Sequence, residues 1–481
     1  MAVQQISLGV RSNPSRGDTQ TTLVNCYAED VGEDNESKWA VYACDSFSSF
    51  STLTGSGSGI VKGMLNFDDT TLYVVTGTRI NRIDTSGTAT DMGALATSGY
   101  AYIARNRKSP NAQVMIVTSD GLVRIIENNS VSTPSYDSDV PTFNSVCAMD
   151  GYFILTAANG EWFITSIDEA SEIDPIEFAK ANSSPDGAVR CINRGRDVLI
   201  AGPRSIEFYQ NTGQTDFPFE RVTSAGIGVA YAPTMVNLAA VIDGTSQDTV
   251  IFAGNNADGS FAGVMMLDGY AARKISTSSL DRAIRDEPTK SSIRAFTRID
   301  NGHVMYCITG SSFSKEYNAN TGYWHDRKSS GITPWRIVDA CHFNGTTILS
   351  DYNAGTLYQQ SSSITPGSAS TVALRHSNDN GRTWKSRDAK AVGGSGTSKI
   401  IRWHCLGQSK EDGKIFEFTF SNAVLENGTG TDATVRTPPV HAFPHRMEFN
   451  ELFVNVTAAT SLTSRSKGYV NLAVDSRVLE P

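Results

Sequence analysis

"AMDGYFILTAANGEWFITSID", residues 148 to 168, contains two apolar runs, YFILTA and EWFIT, set off by Asp150-Gly151 and Asn159-Gly160. Asp-Gly and Asn-Gly pairs favour tight hairpin turns, so the stretch reads as consecutive antiparallel strands. YFILTA is apolar on both faces of the pleat, which suits a strand covered from both sides. A sheet built of such strands cannot bury both its faces alone.

The same unit recurs. "INRGRDVLIAGPRSIEFYQN" (192–211) and "RIDNGHVMYCITGSSFSKEYNANTGYWHD" (298–326) are clear copies, and looser ones fall at 66–84, 111–129, 249–269 and 341–360. Anchored on Val74, Met115, Phe153, Val198, Val250, Val304 and Thr347, successive units are 41, 38, 45, 52, 54 and 43 residues apart. A four-stranded propeller blade occupies about 40 to 50 residues. Radial stacking of blades covers both faces of every sheet and leaves only short edges. The expected fold is therefore all-β: a β-propeller of six or seven blades plus a smaller β-sandwich-like platform domain. A pair of large β-sandwiches is the alternative that the strand pattern also allows.

Residues 1–58 do not follow the blade period and read as an extended N-terminal segment belonging to the platform. The propeller is expected over 59–364 and the β-rich platform over 365–481, where "TVALRH", "SKIIRWHCLG", "KIFEFTFSNAV" and "MEFNELFVNVTAAT" are strand-like. Helical signals are few. "SLDRAIRDEP" (279–288) predicts two turns stopped by Pro288, and "DEASEIDPIEFAKAN" predicts a polar excursion on the rim of the third unit.

With 481 residues, the chain exceeds the ~250 to 300 over which one compact core usually grows. A net charge of -9 argues against a general nucleic-acid clamp, whose affinity comes from Lys and Arg displacing counterions. Short basic clusters do occur. Arg105, Arg107 and Lys108 form one, Arg194 and Arg196 another, and Arg327-Lys328 a third. All three read as solvated loops, the first two being candidates to face DNA or a partner. Seven scattered cysteines with no C-x-x-C pair suggest neither a zinc site nor a disulfide scaffold, and fit folding in a reducing cytoplasm with the thiols acting as small hydrophobes. The N-terminus lacks the apolar stretch of a secretory signal, and no run of ~18 apolar residues predicts membrane insertion.

Catalytic signatures are missing: there is no G-x-S-x-G, no G-x-x-x-x-G-K-[ST] and no H-E-x-x-H. Of the seven histidines, only His441 and His445 have ligand-like spacing, and Pro444 between them opposes a shared helix face. His325-Asp326 reads as polar surface at a turn. Trp324 and Trp335 suit blade interfaces, or a docked partner. No catalytic, metal or cofactor set can be assembled.

"HSNDNGRTW" (376–384) places Ser377, Asp379, Gly381 and Trp384 in the pattern S-x-D-x-G-x-x-W, which resembles the Asp-box of sialidases and related propeller enzymes. Its chemistry is that of a turn. Asp379 can accept backbone N–H bonds, Gly381 can supply a positive φ, and Trp384 can pack back over the hairpin. A propeller glycan hydrolase, or a glycan-binding propeller, is the functional alternative this motif raises.

"LVNCYAED" (23–30), "CINRGRDVLIAGPRSIEFYQNTG" (191–213) and the C-terminal "HSNDNGRTW" with "IIRWHCLGQSKEDGKIFEFTFSNAV" (400–424) together resemble the tail hub, or nozzle, proteins of short-tailed bacteriophages, also called packaged DNA stabilisation proteins. The resemblance implies a non-enzymatic virion protein. It would assemble as a homohexamer beneath the portal and its adaptor, the head-to-tail connector, closing the channel after packaging and conducting DNA at ejection. The implied partners are a tailspike or tail fibre, a distal needle or plug, and double-stranded DNA held without sequence recognition. The implied location is the virion tail, after synthesis in the host cytoplasm. One departure concerns order: the segment like "VRTPPVHAFPHRMEFNELFVNV" precedes the Asp-box-like hairpin in the family pattern and follows it here. A permuted order can still build the same sandwich where chain ends lie close together.

Overall fold

The computed structural model describes residues 2–5, 22–30, 39–54, 59–215, 217–242, 245–353, 355–361, 370–379, 381–393, 398–409, 413–440, 446–457 and 471–479. Among these, seven blades can be followed. Blade 1 runs from Val61–Asn66 to Ala89–Ala94, blade 2 from Ala101–Arg105 to Ser130–Ser132, and blade 3 from Phe143–Met149 to Phe178–Lys180. Blade 4 spans Arg190–Arg194 to Phe219–Ala225, blade 5 Val236–Ile242 to Ala271–Lys274, and blade 6 Arg294–Asp300 to Tyr323–Asp326. Each inner strand lies against the next, and the inner strand of blade 7, Ile337–Phe343, lies against that of blade 1, so the ring closes.

Blade 7 draws only three strands from its own stretch, Ile337–Phe343, Thr346–Asp351 and Thr356–Ser361. Its outer strand is Ser46–Thr52, antiparallel to Thr356–Ser361 with Phe47 opposite Gln360. The ring is thus closed by two segments some three hundred residues apart in sequence.

The seams between blades hold separate apolar cores, as expected of sheets that must cover one another. Blades 3 and 4 bury Ile154, Trp162, Val198, Ile200 and Tyr209 between them. Blades 7 and 1 bury Phe343, Ile348 and Leu357 against Val61, Leu72 and Val74, with Leu53 added from the N-terminal side. Asp150-Gly151, Asn301-Gly302 and Asn344-Gly345 join inner to second strands of blades 3, 6 and 7 with both residues at positive φ, the backbone that two-residue hairpins require. Near the axis, a Cβ on Gly63 would meet the Ala101 carbonyl oxygen at 2.3 Å, so only glycine lets the inner strands of blades 1 and 2 approach this closely.

The helix Ser278–Asp286 links blades 5 and 6. Thr277 caps it by accepting from the Leu280 N–H, and Leu280 and Ile284 are buried against both blades. The stretch read as an excursion of blade 3 also holds that blade's outer strand, Phe178–Lys180, which pairs with Glu161–Ile164; only the part before it is a loop, and it leaves Ile176 81% exposed.

The remaining strands form a two-sheet sandwich. One sheet holds Ser370–Ser377, Ile415–Glu426 and Thr429–Arg436; the other holds Ser398–Gln408, Arg446–Thr457, Asn471–Leu479 and Ala2–Gln5. Trp403, Phe416, Phe418, Leu452 and Val454 lie buried between them. The sandwich interior also carries two basic groups. Lys414 is fully buried with its ammonium donating to the Leu406 and Gly407 carbonyls. His376 is 3% exposed and its Nδ1 has no hydrogen-bond partner among the described residues.

Burial, followed by the positive charges of Lys414, Arg387 and Lys385, lowers His376 from 6.5 to about 4. The unfolded chain therefore binds the extra proton first, and the sandwich loses stability as pH falls from about 6.5 towards about 4. In His376→Phe, the fall of stability over that window should be shallower by the slope of about one proton, read from urea unfolding at several pH values. An unchanged slope would refute the assignment.

Candidate functional site

The first two basic clusters singled out in the sequence occupy one face of the propeller, because both flank connections between an inner strand and the second strand of a blade. Arg105 ends the inner strand of blade 2, with its guanidinium donating to the Phe67 carbonyl and lying 4.5 Å over the Phe67 ring. Lys108 pairs with Glu127 at 3.0 Å and Glu169 at 2.9 Å. Arg194 pairs with Asp197 at 2.6 Å. Arg107 and Arg196 are exposed and have no ion pair among the described residues. The two clusters are not brought together: they sit on blades 2 and 4, with the Asp150-Gly151 turn of blade 3 between them and Asp68 and Asp69 on the matching loop of blade 1. The face is mixed in charge.

The turn at 376–384 is a network of local bonds. Ser377 Oγ donates to Asp379 Oδ1 at 2.8 Å and accepts from the Gly381 N–H at 2.9 Å, while the Thr383 N–H donates to Asp379 Oδ1 at 2.8 Å. Gly381 sits at φ 83°, and the Trp384 indole N–H donates to its carbonyl at 3.0 Å. Trp384 also lies under two guanidiniums, those of Arg375 at 4.6 Å and Arg436 at 5.1 Å, and both arginines pair with Glu417. The local bonds shape the turn, and the stacked arginines fasten Trp384 to the sheet behind it. Asp379→Ala should cost about 1–2 kcal/mol of sandwich stability and leave the propeller intact, measured by urea unfolding with near-ultraviolet circular dichroism.

Two readings of the sequence need correction. Arg327 is not in a solvated loop but 1% exposed, and His325 is not at the surface but 4% exposed. Strand alternation sends both inward, while Lys328 between Arg327 and Ser329 points out. His325 and Arg327 belong to a charged cluster inside blade 6 beneath the N-terminal segment. Glu316 lies at its centre and accepts from Arg298 through both oxygens at 2.8 Å. His325 Nε2 lies 2.8 Å from Glu316 Oε2, and Cys307 donates to Oε1 at 3.0 Å. Arg298 also pairs with Asp300 at 2.8 Å. The Arg327 nitrogens lack a hydrogen-bond partner among the described residues; the guanidinium stacks 4.1 Å above the Trp335 ring, with its Nε 3.9 Å from Glu316. Burial would raise the Glu316 carboxyl, but Arg298 and then Arg327 outweigh it and hold it well below the usual carboxylate range.

Cys44, Glu316 and His325 present ligand atoms within 4.8 Å of one another, the spacing of a metal site. The charges oppose that use. Glu316 is already saturated by Arg298, and a second guanidinium lies beside it, so a cation would be placed among cations. His441 and His445, the pair with ligand-like spacing, lie outside the described residues.

The cluster marks where propeller and sandwich are sewn together. Thr22–Val24 pairs antiparallel with Thr429–Arg436 of the sandwich and parallel with the outer strand of blade 6. On the other side, Glu426 of the sandwich bridges Phe47 of the strand that completes blade 7. Blades 6 and 7 and one sandwich sheet therefore share a continuous run of hydrogen bonds. Side chains reinforce it. The Trp335 indole donates to Glu426 at 3.0 Å, the Asn25 amide donates to the Asp432 carbonyl at 3.0 Å, and the Asn25 side-chain oxygen accepts from the Lys328 N–H at 3.0 Å. A polar cleft of about 610 Å³ opens along this junction, walled by Asn25, Lys328, Arg375, Glu417, Asp432 and Arg436. Among the described residues no helix is long and apolar enough to cross a membrane.

A family model described as Phage_stabilise: Bacteriophage P22 Gp10, beta-propeller matches residues 18–365. No curated protein matches the sequence. Among solved structures, the chain is similar to virginiamycin B lyase from Staphylococcus aureus, at 10% identity and a TM-score of 0.43 over 63% of this chain and 96% of that one. It is also similar to the WD40 β-propeller domain of Doa1, at 10% identity and a TM-score of 0.37 over 66% and 97% of the two chains. The WD40 domain of Neurospora crassa Pan2 gives 9% identity and a TM-score of 0.39 over 72% and 96%.

Proposed function

The chain belongs to the phage stabilisation family, whose model is that of the bacteriophage P22 Gp10 β-propeller, and on that footing we propose that it is a tail hub: a structural, non-enzymatic virion protein that forms a sixfold ring below the portal. In this reading the ring closes the channel after packaging and conducts DNA at ejection. The observation that carries it is the family match over residues 18–365, which takes in every strand of the propeller and the segment that closes it.

The physical character of the molecule supports the role. A hub must hold DNA under pressure and then let it slide, so weak attraction to phosphate suits it, and the chain carries a net charge of -9. It must also carry load between a ring and whatever the ring supports. The unbroken sheet joining the sandwich to blades 6 and 7 fits that need better than a hinged linker would. The sandwich makes the ring through repeated head-to-tail contacts, and the propeller projects from it. The portal adaptor, a tailspike or fibre and a distal needle or plug are the partners of that assembly.

Cryo-electron microscopy of the particle that contains this chain, with symmetry left free, tests the proposal. Six copies around an axial channel with sandwiches in the ring are the expected result. A free-standing propeller with no axial channel would overturn it.

A further inference from the structure

Two arginines leave their own blades and come together at one end of the propeller axis. The inner strands of the seven blades enclose that axis and run the same way along it, so their first residues share the end away from the Arg107 and Arg196 loops. Arg190 opens the inner strand of blade 4 and Arg294 that of blade 6. Arg190 donates to Ser145 Oγ of blade 3 at 3.2 Å, and its guanidinium lies 3.7 Å from the centre of the Tyr102 ring on blade 2. Arg294 arrives from the other direction. It donates to the Val61 carbonyl of blade 1 at 3.0 Å and lies 5.6 Å from the centre of the ring of Tyr100, the residue that leads into blade 2. Reaching a blade that is not a neighbour requires a path along the axis, and the two tyrosine rings stand only 5.2 Å apart.

Stacking on tyrosine accounts for where the guanidiniums lie but leaves their charge unmatched. Among the described residues both donate only to neutral oxygens, although Arg294 is just 8% exposed. Two further donors at the same place are idle. The Arg190 Nε is buried without a hydrogen-bond partner among the described residues, and so is the hydroxyl of Tyr102, a residue 2% exposed. Asp339, on the inner strand of blade 7, is an acid within reach of the Arg294 charge. Burial outweighs Arg294 and lifts its carboxyl to about 7, so near neutral pH it is only partly ionised. Two cations facing less than one full negative charge in a partly desolvated place favour the arrival of an anion.

We propose that this end of the propeller axis is a binding site for a phosphate-like oxyanion, held by Arg190, Arg294 and the Tyr102 hydroxyl. The donor chemistry selects the class. A guanidinium presents its N–H groups as a rigid fork that matches two oxygens of one anion, and a tyrosine hydroxyl supplies one more donor. These donors come from blades 4, 6 and 2 and so approach from different sides. A tetrahedral anion offers oxygens in all those directions, whereas a flat carboxylate offers two in one plane. Bound there, the anion ties three blades of the ring to one another at its centre.

The test uses the full chain in isolation, so it does not depend on the tail-hub reading. Titration calorimetry with inorganic phosphate, at constant ionic strength in chloride, should show saturable binding at one site per chain, with acetate binding more weakly. Tyr102→Phe should weaken phosphate about tenfold without lowering the melting temperature, because the hydroxyl it removes has no partner in the fold. Arg190→Met should weaken phosphate by at least about tenfold, and Arg190→Lys, which keeps the charge but not the fork, should recover part of the loss. Tungstate soaked into crystals of the chain should give an anomalous peak at the Arg190 and Arg294 guanidiniums. Phosphate that gives no saturable heat with the wild-type chain, or that binds Tyr102→Phe as tightly as wild type, would overturn the proposal.

Discussion

A chain that begins at residue 55 is expected to lose cooperative unfolding altogether and to be recovered as an expanded, dye-binding or insoluble product. The deletion removes the outer strand of blade 7 and with it the register from Ser46–Ser361 to Thr52–Thr356. Phe47, 0% exposed, would no longer cover Trp335 and Tyr358, whose ring centres lie 6.4 and 4.9 Å from it. Leu53 would leave the seam between blades 7 and 1, and Thr22–Val24 would leave the outer edge of blade 6. An open ring exposes strand edges and apolar faces together, which favours association over folding. Phe47→Ala provides the graded version, with an expected loss of about 3–5 kcal/mol from an emptied aromatic site. Thermal unfolding followed by near-ultraviolet circular dichroism decides the matter: a truncated chain that melts cooperatively within a few degrees of the intact one would show that the N-terminal strand does not close the ring.

The second large effect should come from Glu316→Ala. Removing this carboxylate leaves Arg298, 3% exposed, and Arg327, 1% exposed, inside blade 6 without their shared counter-charge. Breaking one partner out of a buried ion pair costs about 3–5 kcal/mol, because the remaining charge stays desolvated. Glu316→Gln keeps the shape and one acceptor for Arg298 and should fall between the alanine variant and wild type. Urea unfolding measures both. A loss below about 1 kcal/mol for the alanine variant would mean that water reaches the cluster, contrary to its burial.

The blades were legible in the sequence because each carries strands apolar on both faces at nearly regular intervals, punctuated by pairs such as Asp150-Gly151 and Asn301-Gly302. The helix from Ser278 was legible for the same local reason: a capping Thr277, two apolar residues four apart and a stopping Pro288. What escaped is non-local. "SFSSFST" has no continuous apolar run, and its partner lies beyond residue 355, so nothing near it announces an outer strand. The charged cluster escaped because Arg327-Lys328 looks like a solvated pair until the strand phase is known. With that phase fixed, Cys307, Glu316 and His325 fall in one row across blade 6, each opposite the next. That row was the available signal, and it needed the register.

The same outer strand also sets a timetable. On a ribosome adding about 5–20 residues per second, Ser46–Thr52 emerges tens of seconds before Thr356 is made. Throughout that wait neither of its strand partners has been made. Its four serines then matter in a way the finished fold conceals: they dilute two phenylalanines in a segment that must remain dissolved and uncommitted. The newborn protein carries the clasp of its ring in hand before the ring exists.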